Sequence, residues 1–262
     1  MYQNLLIEVD RGIGILTLNR PERHNAFDDA LIAELIDAID MMENDAAVRV
    51  LVISSAGKSF CAGADLNWMQ RAADFSAEDS LRDARALAEM LRCLAQIGKP
   101  TVARVQGPAY GGGVGLVAAC DIAIATYDAH FSLSEVKLGI IPAVISPHVV
   151  AAIGERHARR YMLSAERFAA AEAYRIGLVH EIVPDVEALD AAIGEIVEAL
   201  LKNSPNALGA CKDLVRSVAG QPITPQLIEE TAQRIAGIRA TDEAREGMSA
   251  FLGKRKPNWV ID

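Results

Sequence analysis

Hydrophobic positions recur along the chain with two periods, and each period predicts its own elements. Residues 5–9 (LLIEV) and 13–19 (IGILTLN) are short apolar stretches around Asp10-Arg11-Gly12, which predicts two strands joined by a tight turn. Phe27, Leu31, Leu35, Ile39 and Met42 then return at helical spacing. Asp28, Asp29, Glu34, Asp37 and Asp40 fall mostly between them, so an amphipathic helix is predicted there. Residues 48–54 (VRVLVIS) read as a buried strand, followed by a loop of small residues from Ser55 to Asp65. A second helix is predicted to begin near Ser76, whose S-x-x-D pattern with Asp79 resembles a capping box. Its core face is expected at Leu81, Ala84, Ala88, Leu91 and Ala95, and Gly98-Lys99-Pro100 ends it. Strands at 101–105 (TVARV) and 121–125 (DIAIA) flank a glycine-rich stretch and a short apolar helix. From about residue 185 the pattern is helical. Alternating strands and helices predict an α/β sheet with crossover helices, divided into a core over 1–195 and a helical C-terminal segment over 196–262.

Composition narrows the function classes. The 262 residues fit one large domain, or one domain with an appendage. A net charge of −9 argues against general nucleic-acid binding, which needs a basic face. Apolar runs are broken well short of the roughly 18 residues of a membrane span. The start of the chain lacks a basic region followed by a long apolar stretch, so no signal peptide is expected. Cys61, Cys93, Cys120 and Cys211 are scattered without a C-x-x-C pair, which predicts free thiols and a cytoplasmic location. His130, His157 and His180 lack metal-ligand spacing, and no metal site is expected. Asp121 starts a strand and is read as structural. Lys254, Arg255 and Lys256 form a basic cluster that is either a solvated tail or a contact for an anionic ligand.

The stretch VQGPAYGGGVGL, residues 105–116, carries three readings. It contains no Walker loop. Residues 113–118 fit the dinucleotide pattern G-x-G-x-x-A, but residues 107–110 separate it from the preceding strand, and no acidic residue ends a strand about 20 positions later. The second reading is an oxyanion hole. A helix N-terminus presents free N–H groups, and glycine lets a reacting carbonyl approach them. The loop from Ser59 to Leu66 is its natural partner. The third reading is close helix–sheet packing.

Several pieces taken together resemble the crotonase, or enoyl-CoA hydratase/isomerase, superfamily. They are LNRPERHNAF at 18–27, SFCAGADL at 59–66, VQGPAYGGGVGL at 105–116, ACDIAIAT at 119–126, FSLSEVKLGIIP at 131–142, GLVHEIVP at 177–184 and EGMSAFLGKRKPNW at 246–259. The resemblance implies a ββα spiral with two near-perpendicular sheets and a helical C-terminal oligomerisation segment. It implies homotrimers, often paired into hexamers. It also implies acyl-CoA substrates, with no separate cofactor because coenzyme A is part of the substrate. On the family's pattern the N–H groups of Ala64 and Gly112 form the oxyanion hole, with Gly111 allowing the close approach. His24, Ala26, Ala62, Asp65 and Leu66 fall where the family lines its CoA site, and Phe251 and Lys254 match positions that reach a CoA from a neighbouring subunit.

The resemblance also locates the acid–base chemistry. Hydratases of the family carry two glutamates; the first position is Gly115 here, and the second is Glu135. The strings LSEVKLGIIPAVISPHVV and ADLNWMQ look like those of bacterial 3-methylglutaconyl-CoA and isohexenylglutaconyl-CoA hydratases, assigned to leucine/isovalerate and acyclic terpene breakdown. For a branched glutaconyl-CoA, the substrate's own carboxylate is expected to orient water in the space left at Gly115. His148 is read either as facing that carboxylate in a distal pocket or as a packing residue. A Δ3-Δ2 enoyl-CoA isomerase, a plain enoyl-CoA hydratase and a non-catalytic acyl-CoA-binding protein are the alternatives.

Overall fold

The first hairpin forms where the periodicity places it. In the computed structural model, which describes residues 2–260, β1 (Leu5–Asp10) and β2 (Ile13–Leu18) pair antiparallel. Arg11 and Gly12 turn the chain with φ of 44° and 87°. Helix α1 (Asp29–Asn44) is capped by the Asp28 carboxylate, which accepts from the Leu31 N–H, and buries Leu31, Leu35, Ile39 and Met42 as expected. Phe27 lies before the cap and bridges to Ala64 instead. Strand β3 (Val50–Ser55) is buried throughout.

One element is added and one expectation changes. Helix α2 (Leu66–Ala72) is not predicted by periodicity, because seven residues with one buried side chain, Trp68, show no period. Helix α3 (Ala77–Gln96) does start from the Ser76 cap, yet it buries Met90, Leu91 and Leu94, while Leu81 and Ala88 are exposed. Only its C-terminal half meets the core.

Strand β4 (Thr101–Val105), β5 (Ala109–Tyr110), α4 (Gly112–Ala119), β6 (Ile122–Thr126) and β7 (His130–Ser132) follow. A 3-10 turn at Glu135–Leu138 leads to α5 (Ser146–Ser164), β8 (Phe168–Ala169), α6 (Ala170–Arg175) and β9 (Glu181–Val183). Helices α7 (Val186–Leu201), α8 (Pro205–Val218), α9 (Pro225–Arg239) and α10 (Asp242–Leu252) complete the described chain.

The strands form two sheets. The larger has the order β1-β2-β3-β4-β6-β9, parallel from β2 onward; the smaller has the order β5-β7-β8. The main core, which includes residues of α1, α3 and α4, covers one face of the larger sheet. On the other face Val50, Val52, Val102 and Ile124 pack against Leu189, Ala192, Ile193 and Val197 of α7. Burial on both faces explains the near-continuous apolar runs of these parallel strands. The 195/196 division expected from the sequence falls inside α7. Helices α8 and α9 bury none of their residues.

Candidate active site

Asn25 builds the first loop of the site. Both His24 and Asn25 adopt left-handed backbone, with φ of 51° and 55°. The Asn25 side chain is fully buried. Its Oδ1 accepts from the Arg20 N–H at 2.9 Å, and its Nδ2 donates to the carbonyls of Ala56 and Ser59 at 2.8 Å each. Residues 24–27 are thereby laid alongside 62–65. The Ala62 N–H donates to His24 O (3.0 Å), Phe27 N–H to Gly63 O (2.7 Å) and Asp65 N–H to Phe27 O (2.8 Å). In such a bridge the polar groups of Ala64 point away from Phe27. Among the described residues the Ala64 N–H donates to no protein acceptor, and Ala64 is exposed.

The second loop docks on the first through bare backbone. Tyr110 N–H donates to Cys61 O at 2.9 Å, and Gly111 N–H to Ser132 O at 2.9 Å. Gly63 (φ 90°) approaches so closely that a Cβ there would lie 3.0 Å from Tyr110 O. A Cβ on Gly113 would lie 2.4 Å from Cys61 O, and one on Gly112 would lie 2.9 Å from the Phe27 ring. Gly111 (φ 51°) precedes α4, and the N–H of Gly112 is one of the helix's orphan donors. It too has no protein acceptor among the described residues. Two loops thus present one free N–H each, one of them at the positive end of a helix, which is an arrangement that stabilises an oxyanion.

Glu135 stands over this junction. A Cβ on Gly111 would lie 3.2 Å from Glu135 Oε1 and 4.0 Å from the Gly63 Cα. Glu135 Oε2 is buried with no hydrogen-bond partner among the described residues. Burial pushes the Glu135 carboxyl above its ordinary value, opposed only by a hydrogen bond from its own backbone. A carboxylate whose pKa is raised by desolvation, with no counter-ion beside it, is suited to moving protons. Cys61 is no rival nucleophile, since complete burial pushes its thiol up to about 12.

The remaining predicted residues lie in different surroundings. His24 and Leu66 are exposed on the rim, with Leu66 77% exposed, and His24 Nδ1 lies 2.9 Å from Ser59 Oγ. Ala62 is half-buried between them. Ala26 and Asp65 point inward. The Asp65 carboxylate caps α2 through Asn67 and Trp68 N–H and faces Arg20 at 3.4 Å, so it is already engaged within the fold. Phe251, 83% exposed, lies in the last turn of α10, and the Lys254 N–H donates to its carbonyl; among the described residues no hydrogen bond or ion pair joins either to Glu135 or the oxyanion loops. His148 is half-buried in the first turn of α5, and burial lowers its pKa.

Gly115 corrects the sequence reading. It opens no space for water, because a Cβ there would lie 2.3 Å from Ile145 Cγ2 and 2.8 Å from Ile145 Cβ. Ile145, fully buried, fills the place where a side chain would project. Asn25, Arg20 and Ile145 were all missed. The tolerance of asparagine for left-handed backbone is a signal for the first; the other two have none in a single sequence.

A desolvated carboxylate beside two loops that each carry a free backbone N–H is the set of groups that oxyanion-stabilising chemistry requires. The chain belongs to the enoyl-CoA hydratase/isomerase family, whose profile matches residues 8–261. It has the crotonase fold, and its relatives include hydratases and an isomerase of acyl-CoA esters. An enoyl-CoA hydratase from Shewanella pealeana superposes with a TM-score of 0.95 at 43% identity, over 98% of this chain and 96% of the other. The 2,3-dehydroadipyl-CoA hydratase of Escherichia coli is 33% identical over 97% of this chain and 98% of its own length. The 1,2-epoxyphenylacetyl-CoA isomerase of the same organism is 34% identical over 99% of both.

Proposed function

We propose that the protein adds water across the double bond of a branched, carboxylated enoyl-CoA of the 3-methylglutaconyl type, with Glu135 as the one carboxylate that moves protons. The observation carrying this reading is the buried, unpartnered Glu135 Oε2 beside the Gly111–Gly112 turn. In this mechanism the thioester oxygen accepts from the N–H groups of Ala64 and Gly112. Glu135 takes a proton from water as its oxygen bonds to the β-carbon, and the carbonyl becomes an enolate held by the two donors. Glu135 then returns that proton to the α-carbon, restoring carboxylate and thioester. A methyl group on the β-carbon makes it tertiary and better able to carry developing positive charge, which suits a site with one carboxylate.

The choice of acyl group is supported by the resemblance at 64–70 and 133–150 and by the relative named for 2,3-dehydroadipyl-CoA. His148, whose burial lowers its pKa and so favours the neutral ring, is proposed to meet the distal carboxylate as a hydrogen-bonding group. Coenzyme A is proposed to lie along His24, Ala26, Ala62 and Leu66, with Phe251 and Lys254 of a neighbouring copy closing over it. That assembly is proposed to be a homotrimer or a pair of trimers in the cytoplasm. A second reading is Δ3-Δ2 isomerisation, because one carboxylate suffices to shuttle a proton and one relative is named an isomerase.

The test is incubation with 3-methylglutaconyl-CoA, crotonyl-CoA and a 3-enoyl-CoA, followed by mass analysis. Gain of one water, fastest on the branched acid, is the expected result. Rearrangement of the 3-enoyl-CoA without mass change, and no hydration of the others, would replace the hydratase reading with the isomerase one.

A further inference from the structure

Gly111 is the non-helical N-cap of α4, and Gly115 lies one turn on, its N–H donating to Gly111 O at 3.2 Å. The segment from Leu133 to Ile145 meets both. Near its start the Glu135 carboxylate lies over Gly111, and at its end Ile145 lies over Gly115. Leu133 and Ile145 are buried, whereas Leu138, Ile140 and Ile141 between them are exposed, Ile141 by 71%. The backbone bonds within the segment are local: Lys137 N–H to Ser134 O, Gly139 N–H to Val136 O and Ile140 N–H to Glu135 O. Glu135 Oε2 holds no partner, so the carboxylate is not held in place by bonds to neighbouring side chains. Its position depends on where the two buried ends of the segment are fixed.

We infer that Ile145 is a positioning residue for Glu135: seated on the bare Cα of Gly115, it fixes the segment that carries the carboxylate against α4. Leu91 of α3 closes the seat from behind, with its Cδ1 3.6 Å from where a Gly115 Cβ would lie. The seat admits no side chain at 115 while Ile145 is in place. It therefore sets both the location of the one carboxylate and the absence of a second on this face of the helix. The inference rests on the reading of Glu135 as the proton-moving group.

The test compares Gly115→Ala, Ile145→Ala, the double variant and Glu135→Gln, each checked for native circular dichroism. Alanine at 115 should lift Ile145 from its seat. A shift of about 1 Å at a reacting group costs on the order of a hundredfold in rate, so kcat should fall at least about tenfold, while KM stays within about threefold. The acidic limb of the kcat–pH profile should move down, because a loosened Glu135 is better hydrated. The double variant removes Ile145 Cγ2, the atom in the hardest clash, and should recover about fivefold or more of the loss. A Gly115→Ala protein with kcat within about twofold and an unchanged acidic limb would overturn the inference, as would a double variant no faster than the single. If Gly115→Ala does not fold, Ile145→Ala decides alone through the same two readouts. An inactive Glu135→Gln beside unaffected Ile145 variants would remove this inference only. A fully active Glu135→Gln would remove the reading of the site beneath it.

Discussion

One carboxylate oxygen of Asp65 accepts from the N–H groups of Asn67 and Trp68, at 2.8 and 3.2 Å, while the other faces Arg20 at 3.4 Å. Arg20 in turn donates to Ala26 O at 2.7 Å and pairs with Asp28, the cap of α1, at 2.7 Å. The residue that the family resemblance assigns to ligand contact therefore joins the caps of two helices beside the loop that carries Ala64. Truncation to alanine removes an N-cap, worth about 1 kcal/mol, and one charged partner of an inward-facing guanidinium. Asp65→Ala should lose about 2 kcal/mol in urea unfolding with an unchanged m-value, and Asp65→Asn, which keeps the capping oxygen, about half of that. An Asp65→Ala midpoint equal to that of the parent would show that the ion pair and cap carry no stability. Glu135 presents the opposite case. Its carboxylate is buried without charge partners, a destabilising placement that is retained where a raised pKa serves chemistry.

At the scale of elements, legibility follows from how local each cause is. The β1–β2 turn, the Asp28 and Ser76 caps and the α1 face depend on neighbours within a few residues, and all are visible in the sequence. The glycines of α4 are visible as well, because glycine is costly inside a helix unless something needs a bare backbone. What they serve is not local. Gly112 faces Phe27, Gly113 faces Cys61 and Gly115 faces Ile145, partners from 30 to 85 positions away that no periodicity connects. Helix α2 is too short to show a period. The face of α3 was misplaced because the apolar spacing at Leu81 and Ala88 continues beyond the part of the helix that meets the core. The site was legible as two glycine-bearing loops and one acid. Its supports, Asn25, Arg20 and Ile145, became visible only with the fold.

Over the whole molecule, α7 closes the second face of the larger sheet, while α8 to α10 remain partly uncovered. Val215, Ile223, Ile228, Phe251 and Leu252 are all exposed on or between these helices, apolar surface that the proposed assembly would cover. Sedimentation velocity at micromolar concentration should show three or six copies of the 28.1 kDa chain; a monomer at every concentration would contradict the proposed assembly. The larger claim is that one carboxylate and two backbone donors, from three separated stretches of chain, form the reacting centre. Its most direct test is the turnover of Glu135→Gln on the hydrated substrate, with CoA-ester binding measured on the same protein. A positioned acid–base contributes about 10²–10⁴ in rate, so kcat should fall by that factor while the dissociation constant changes by less than about threefold. A variant that turns over within about tenfold of the parent would contradict the account.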